Sequence, residues 1–433
     1  MALTAITTAG GPLLLAHAET PHLSFKTADL ITRTSSSITI EAQAADTLSI
    51  QQQNTTFSHI QFSIRSGKIK SRGVNLGGWL VAEHWMSTDA EFWNGLSDDD
   101  ANAGEYSAIT KAADSDAARA LIQKHHDMFI TETDIKAIAD AGLNTVRVPV
   151  GFWIAGFDKN DSPQQQQWSV YAKDTLKYLD VLIRQWAKRH NLAVLISIHG
   201  AKGSQNGADH SSPTVKGKAF WSDYPENVAN TVTLASFLAD RYRADAAFMG
   251  IGLLNEPTLS TTEAVLYQYY EDAYRAIRAT GNDCVLTVAP LLVQQNADAM
   301  VGFMQRPQYT NVWVEWHPYF VWGYESTSAS DLIAVSVQTE FQTRVNTWQA
   351  RTNHNRLFFG EWSFATSADK FTGDNKDQFY AFAEAQANVQ NQADGGWTFW
   401  TWKASSDDSS ALYPWSLRSV LRDKRLKGFL LGK

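Results

Sequence analysis

The sequence predicts a (β/α)₈ barrel, an α/β fold of eight parallel strands and eight helices, preceded by a small N-terminal β appendage. The first observation is that apolar runs of strand length alternate with amphipathic helical stretches from Ile69 to the end of the 433-residue chain. The second is that there are eight such runs. The third is that reactive polar residues follow several of these runs, at the strand ends where barrel enzymes carry their active sites.

Residues 1–68 are expected to form the appendage, and residues 69–433 the barrel domain. Short alternating runs such as Ile60–Ile64 predict half-buried strands in the appendage. The first 18 residues end in an Ala-x-Ala-like site but lack the positively charged start of a secretory signal. We favour a β cap packed on the barrel over a separate sugar-binding module.

The eight strand candidates are near-continuous apolar runs, which is typical of a parallel sheet buried on both faces. In chain order they are Ile69–Leu76, Asn144–Val150, Leu192–Ile198, Ala247–Leu254, Val285–Ala289, Asn311–Trp316, Leu357–Gly360 and Gly396–Trp402. Helices are predicted between them, for example at 134–141, closed by Gly142, and at 174–190. A doubly wound open sheet is the alternative fold, although no Gly-x-Gly-x-x-Gly turn follows these strands.

Composition limits the classes of function. The formal net charge is −8 and no concentrated Lys/Arg surface is evident, which argues against a nucleic-acid partner. No run approaches the roughly 18 apolar residues of a membrane span. The 16 Trp residues include rings that could stack on the apolar faces of sugars. A neutral or small-molecule substrate is therefore expected, and no membrane-spanning segment.

Six of the predicted strands carry reactive residues on them or at their carboxyl ends, and these ends meet at one mouth of a barrel. The residues are Arg147, His199, Asn255 with Glu256, His317, Glu361 and Trp400. We read them as one candidate active site.

Glu256 and Glu361 stand out because each directly follows an apolar strand, or is separated from it by one residue. They are 361 − 256 = 105 residues apart, about 35 per strand-to-strand step, which suits strands four and seven. Glycoside hydrolysis needs such a pair, one carboxyl to protonate the leaving oxygen and one to attack the anomeric carbon. The alternative for either Glu alone is a salt-bridged strand-end residue.

The other residues also keep structural alternatives. His199 and His317 could be core histidines or metal ligands, but no His-x-His or His-Glu-x-x-His pattern occurs, so we predict neither metal nor cofactor. Arg147 could form a structural ion pair, or hold a catalytic carboxylate ionised and oriented.

At these residues the sequence resembles glycoside hydrolase family 5, a family of (β/α)₈ retaining enzymes, and within it the exo-β-1,3-glucanase branch. Seven ordered segments carry the resemblance: Arg72–Glu83, Asn144–Pro149, His199–Gly207, Leu254–Pro257, His317–Tyr319, Phe359–Trp362 and Trp397–Trp402. They span about residues 69 to 420.

The resemblance implies that Glu256 is the general acid/base and Glu361 the nucleophile. Asn255 would hydrogen-bond the 2-hydroxyl of the sugar, and Tyr319 and Arg147 would support the nucleophile.

For the sugar itself, the resemblance implies that His199 and His317 contact hydroxyls and that Trp400 forms a stacking floor. Glu83 and Asn206 match positions that hold the non-reducing-end sugar in exo-acting members. The chain departs from the family at Lys202, where Pro is common, and in the poorly matched stretch Trp93–Thr131.

The resulting hypothesis is an exo-β-1,3-glucanase that releases glucose with retention, acts on β-glucan outside the cell or in the cell wall, and is a monomer. Two alternatives remain. One is a β-glucosidase or transglucosidase on small glycosides, and the other is a non-catalytic carbohydrate-binding wall protein.

Overall fold

The computed structural model describes residues 59–159, 166–367, 370–371, 376–408 and 412–432, and the predicted appendage before residue 59 lies outside them. Eight parallel strands form a closed barrel in chain order, with β8 paired to β1. The strands are β1 Ser71–Asn75, β2 Thr145–Gly151, β3 Ala193–Gly200, β4 Phe248–Gly252, β5 Val285–Val288, β6 Val312–Trp316, β7 Arg356–Phe359 and β8 Gly396–Phe399. The predicted fold and all eight strands are confirmed.

Helices surround the described part of the barrel. They are α1 Ile60–Arg65, α2 Asp98–Ala101, α3 Glu105–Lys111, α4 Ser115–Phe129, α5 Glu132–Asp140, α6 Leu176–Val181, α7 Pro225–Arg241, α8 Glu263–Ala279, α9 Ala329–Asp331, α10 Gln342–Gln349, α11 Lys376–Gln390, α12 Leu417–Val420 and α13 Lys424–Leu431. Helix α6 continues as a π-helix over Leu182–Ala187, and α9 joins α10 through another over Leu332–Phe341. Among the described helices, none is both long and apolar enough to cross a membrane.

Local sequence explains the ends of α5. Thr131 and Asp134 form a capping box at its start, in which each side chain accepts a backbone N–H of the other residue. After the helix, Gly142 has a φ of 91°, a left-handed conformation in which glycine is favoured. The helix predicted in this stretch is confirmed, and it leads directly into β2.

The strand predicted at Ile60–Ile64 is wrong, because these residues begin helix α1. The apolar residues Ile60, Phe62 and Ile64 fit a two-residue period, but Ile60 and Ile64 also lie one helical turn apart. Ile64 is fully buried against apolar residues in the lower part of the barrel, including Leu195 and Phe358. Tertiary packing therefore decides the helix, and the barrel unit includes residues before the predicted boundary at residue 68.

Candidate active site

The carboxyl ends of the strands surround a cavity of about 780 Å³. It contains most of the predicted site residues together with aromatic side chains from the surrounding loops. The lining residues are Glu83, Trp85, His199, Ala208, Asp209, His210, Glu256, Leu292, Val293, His317, Tyr319, Trp322, Glu361, Trp400 and Trp415. Three further predicted residues, Arg147, Asn206 and Asn255, lie behind this surface.

Glu361, directly after β7 and Gly360, is held by two donors. The Arg147 guanidinium lies 2.9 Å from its Oε1, and the Tyr319 hydroxyl donates to its Oε2 at 3.0 Å. Arg147 comes from β2 and is itself buried. Solvent water therefore does not compete with Glu361 for its guanidinium group. These contacts fix the orientation of the carboxylate towards the cavity.

Arg147 also orients Asn255. A guanidinium can only donate, so the contact of 2.8 Å between Arg147 and Asn255 Oδ1 fixes the side-chain amide. The Nδ2 group of Asn255 is buried and has no protein partner among the described residues. It is therefore a donor available to a ligand beside Glu361 and Glu256.

Glu256 has a backbone φ of 44°, a conformation that side-chain-bearing residues seldom adopt. Such local strain clusters at functional sites, where the surrounding structure enforces it. Its Oε1 lies 2.8 Å from His317 Nδ1, and its Oε2 lies 3.5 Å from His210 Nε2. Glu256 is therefore placed between two imidazole rings.

The two strand-end carboxylates are close neighbours. One oxygen of Glu256, one oxygen of Glu361 and a nitrogen of His317 lie within 4.8 Å of one another. In glycosidases, carboxyl groups about 5–5.5 Å apart accompany retention, and separations of about 6.5–9.5 Å accompany inversion. The short approach fits the retaining arrangement.

His317 is the central cation of the site. Its Nε2 lies 3.0 Å from Glu315 Oε1, and its Nδ1 contacts Glu256 and is 3.6 Å from Glu361 Oε2. Burial opposes the charged ring, but the charge of Glu361 and the hydrogen bonds to Glu256 and Glu315 raise the pKa of His317 to about 10. The ring is therefore positively charged at neutral pH, with one nitrogen donating to Glu256 and the other to Glu315.

Glu256 and Glu361 experience these charges differently. Burial raises the pKa of Glu256, but the hydrogen bond and charge of His317 outweigh it and hold this pKa below its ordinary value. For Glu361, burial dominates and raises the pKa, although His317 and Arg147 oppose the rise. A proton on one carboxyl favours ionisation of the other, so the pair titrates as a unit.

Glu315, in the middle of β6, is a site residue that the sequence reasoning missed. It lies 2.9 Å from Arg147, contacts His317 and accepts a hydrogen bond from Thr287. Burial raises its pKa, but Arg147 and His317 lower the pKa to about 2. A Cβ at Gly360 would lie 1.7 Å from Glu315 Oε1, which explains the glycine before Glu361. The sequence did carry one signal for Glu315, because it is a charged residue within the apolar run Val312–Trp316.

Trp400 and His199 form one wall of the cavity. Their rings are nearly parallel, at 3°, with centroids 5.5 Å apart. Gly77 lets Trp400 approach the backbone after β1, because a Cβ there would lie 2.9 Å from the indole ring. The aromatic face predicted at this strand end is therefore in the cavity.

The cavity also contains a polar group formed by Glu83, Asp209 and His210, whose ligand atoms lie within 4.8 Å of one another. Glu83 Oε2 accepts from Trp85 Nε1 at 2.8 Å, while Oε1 is buried without a protein partner among the described residues. Asn206 does not line the cavity. The sequence offered no periodic signal for Asp209 and His210, which lie in a loop.

Lys202, the departure in the β3 loop, forms an ion pair with Asp158 at 2.8 Å, and both side chains are buried. The pair joins the loop after β3 to the loop after β2. The stretch Trp93–Thr131 contains helices α2, α3 and α4, and the backbone N–H of Tyr106 in α3 donates to Ser212 Oγ at 2.8 Å. This insertion therefore supports the loop that carries His210.

A closed (β/α)₈ barrel with two neighbouring carboxylates at its mouth defines a class of enzyme suited to glycoside chemistry. The family model for cellulase (glycosyl hydrolase family 5) matches residues 100–406. The chain belongs to glycosyl hydrolase family 5, and is a glycosidase of that family.

Relatives match over most of their length. A glucan 1,3-beta-glucosidase from Blumeria graminis is 30% identical over 377 residues, covering 78% of this chain and 83% of the relative. Glucan 1,3-beta-glucosidase 2 from Wickerhamomyces anomalus is 28% identical over 374 residues, covering 78% and 84%. The structure of rutinosidase from Aspergillus niger superposes with a TM-score of 0.65 at 17% identity, covering 84% of this chain and 99% of that chain. At this identity, the similarity to rutinosidase shows a shared fold only.

Proposed function

We propose that the protein is an exo-β-1,3-glucanase that removes glucose from the non-reducing end of β-1,3-glucan with retention of configuration. The observation that carries the proposal is the approach of Glu256 and Glu361 within 4.8 Å at the mouth of the barrel. The glucan 1,3-beta-glucosidases among the relatives support the choice of substrate.

In the first step, an oxygen of Glu361 forms a bond to the anomeric carbon. The bond from that carbon to the glycosidic oxygen breaks, and Glu256 gives its proton to the leaving oxygen. In the unliganded site the pKa directions favour the proton on Glu361, so this step requires the pair to hold its proton on Glu256 when the substrate is bound. Arg147 and Tyr319 hold the attacking carboxylate in line. His317 is cationic and stabilises the remaining negative charge of the pair.

In the second step, water attacks the anomeric carbon, the bond from that carbon to the Glu361 oxygen breaks, and Glu256 takes a proton from the water. Esterification has by then removed the charge of Glu361, which otherwise raises the pKa of the neighbouring carboxyl. Glu256 is then the stronger acid and the ionised form is available as a base.

Sugar recognition is assigned from the unpartnered polar atoms. Asn255 Nδ2 is a free donor beside the carboxylates and suits the 2-hydroxyl. Glu83 Oε1 has no partner among the described residues and suits a hydroxyl of a terminal sugar, which can both donate and accept. Trp400 supplies a face for the ring, and His199 and His317 line the same cavity. The amide of Asn206 is engaged within the protein, so we assign the contact beside Glu83 to Asp209 instead.

Product analysis on laminarin tests the proposal. We expect glucose as the first product, released as the β-anomer, and detectable by NMR before mutarotation. A ladder of oligosaccharides without early glucose would overturn exo action, and initial α-glucose would overturn retention.

A second candidate function is hydrolysis of, or transfer from, small glucosides with apolar leaving groups. It is favoured by Trp322 and Val293, which line the cavity although they are 65% and 68% exposed. Comparing kcat/KM on laminari-oligosaccharides with that on aryl β-glucosides separates the two. A preference for aryl glucosides above about 10²-fold would favour the second function.

We also propose that the protein acts outside the cell or at the cell wall, where polymeric β-glucan is accessible. Fractionation of the producing cells tests this location. Activity found only inside the cells would contradict it.

A further inference from the structure

The backbone conformation of Glu256 depends on the two peptide groups that flank its Cα atom. The first contains the carbonyl of Asn255, and the second contains the carbonyl of Glu256 itself. Because each peptide group is planar, its orientation sets φ or ψ of Glu256 and thereby the direction of the side chain. The φ of 44° is doubly unfavourable, since Pro257 follows and the residue before a proline favours an extended conformation with negative φ. The surrounding structure must therefore hold these peptide groups in place.

Gln205, in the loop after β3, binds the first of these peptide groups. Its side chain is fully buried, and its Nε2 donates to the carbonyl oxygens of Asn255 at 2.7 Å and of His199 at 2.6 Å. Its Oε1 accepts the backbone N–H of Ala201 at 3.2 Å. The orientation of the amide is unambiguous, because carbonyl oxygens only accept and a backbone N–H only donates. The carbonyl before Glu256 is therefore fixed to the end of β3.

Asn206, the next residue, binds the second peptide group. Its Nδ2 donates to the carbonyl oxygen of Glu256 at 3.2 Å and to His210 Nε2 at 2.9 Å. Its Oδ1 accepts the backbone N–H of Ala208 at 3.0 Å, which fixes the orientation of this amide as well. Two consecutive side-chain amides thus bind the two consecutive carbonyls on either side of the Glu256 Cα atom.

We propose that Gln205 and Asn206 are positioning residues whose amides impose the backbone conformation of Glu256 and so direct its carboxyl at the glycosidic oxygen. The proposal rests on the function proposed above, in which Glu256 is the general acid. Without these amides both carbonyls lose a donor, and Glu256 can relax towards an ordinary negative φ. Its carboxyl then moves relative to the substrate, and a displacement of about 1 Å is enough to lower a rate by about 10²-fold.

The nucleophile has one buried amide of the same kind. Asn75, at the end of β1, donates from Nδ2 to the carbonyl oxygen of Gly360 at 2.8 Å, directly before Glu361. Its Oδ1 accepts from the Arg147 guanidinium at 2.9 Å. Glu361 is not among the described residues with a positive φ, so no strained conformation has to be imposed there. Asn75 is therefore the matched buried amide on the side of the attacking group.

The test compares kcat/KM of the full chain on phenyl β-glucoside and on 2,4-dinitrophenyl β-glucoside, because only the poorer leaving group, phenolate, needs the proton of the acid. The Gln205→Met variant keeps the length of the side chain but removes both donors. We expect kcat/KM to fall by about 10²-fold on phenyl β-glucoside, and by at least about tenfold less on the dinitrophenyl substrate. A smaller difference between the two losses overturns the proposal, because a general disturbance of the site lowers both rates alike.

Asn206→Leu should change the two rates in the same unequal way, and it carries the test if Gln205→Met does not fold. A contact from Asn206 to the terminal sugar would instead lower both rates equally, since both substrates contain the same glucosyl group, and that result overturns its part in the proposal. Asn75→Leu should give equal losses, and a leaving-group dependence as large as that of Gln205→Met would overturn the proposal. Gln268→Met, at an exposed amide on α8, should leave both rates unchanged.

Glu256→Gln separates a failure of this proposal from a failure of the proposed function. It should reduce kcat/KM on phenyl β-glucoside far more than on 2,4-dinitrophenyl β-glucoside, because the acid itself is lost. Equal losses would remove Glu256 as the acid and overturn the assigned mechanism. With the dependence present for Glu256→Gln but absent for Gln205→Met and Asn206→Leu, the role of the two amides alone is overturned.

Discussion

The two ends of the same barrel strands differ sharply in chemistry. At the amino-terminal end, Leu195 of β3, Trp313 of β6 and Phe358 of β7 belong to one buried apolar cluster closed by α1. Two to four residues further along, the same strands carry or lead to His199, Glu315, His317 and Glu361. Along each of these strands, the residues that are apolar at the amino-terminal end give way to polar and charged residues at the carboxyl end.

This difference shows how the barrel divides its tasks. Apolar packing at the lower end depends on filled volume, so the loss of one side chain lowers the free energy of unfolding but leaves no charge unpaired. At the mouth, each buried charge depends on several partners, so removal of one group leaves others unpaired. The lower end should therefore govern stability alone, and the mouth should govern activity and stability together.

The largest expected effect is that of Glu361→Gln. Removal of the attacking oxygen should reduce kcat on laminarin by on the order of 10⁴-fold or more. The reason is that the nucleophile and the acid act together, and no other group in the site can take over the attack. Initial rates measure this loss, with Glu271→Gln on helix α8 as the matched surface control. A rate equal to that of the unchanged protein would contradict the assignment of Glu361 as the nucleophile.

Glu315→Gln should affect both properties. The carboxylate joins Arg147, His317 and Thr287, and breaking a buried pair costs about 3–5 kcal/mol of the free energy of unfolding. Displacement of Arg147 and His317 should lower kcat by about 10²-fold. Denaturant unfolding and initial rates on one preparation give both quantities. A loss of stability without loss of activity would contradict a role of Glu315 in positioning the active-site residues.

Phe358→Ala is the counterpart at the lower end. The ring is fully buried in the apolar cluster, and its removal should cost about 3–5 kcal/mol of the free energy of unfolding. Below the melting temperature we expect kcat to stay within a few-fold, because no polar contact of the mouth is lost. A fall in kcat as large as that of Glu315→Gln would contradict the division of the barrel into two ends.

For a change of one pH unit, the smallest effect is the pH dependence of stability. The pKa of His317 is raised from 6.5 to about 10, so its contribution is fully present below pH 6.5 and is lost as pH rises through 10. Burial also raises the pKa of Glu105 to about 8, so this carboxyl adds to the loss between pH 4.5 and 8. The slope for one proton approaches about 1.4 kcal/mol per pH unit.

Unfolding free energies between pH 6 and 10 check this prediction. We expect the unchanged protein and Phe358→Ala to lose stability in parallel, because the apolar cluster does not titrate. His317→Asn should give a flatter curve. Equal slopes for all three proteins would assign the pH dependence to other groups.

The sequence by itself determined the eight strands, because a strand buried on both faces needs a continuous apolar run whatever its neighbours are. It also placed Glu256 and Glu361 at strand ends, since each closely follows an apolar run that predicts a buried strand. Only the tertiary structure decided that Ile60–Arg65 is a helix, because its three apolar residues fit a two-residue period although Ile60 and Ile64 also lie one helical turn apart. It alone placed Glu315, and brought Gln205 and Asn206 to the backbone around Glu256, because these contacts join residues from separate strands and loops, and no local pattern specifies which of them meet.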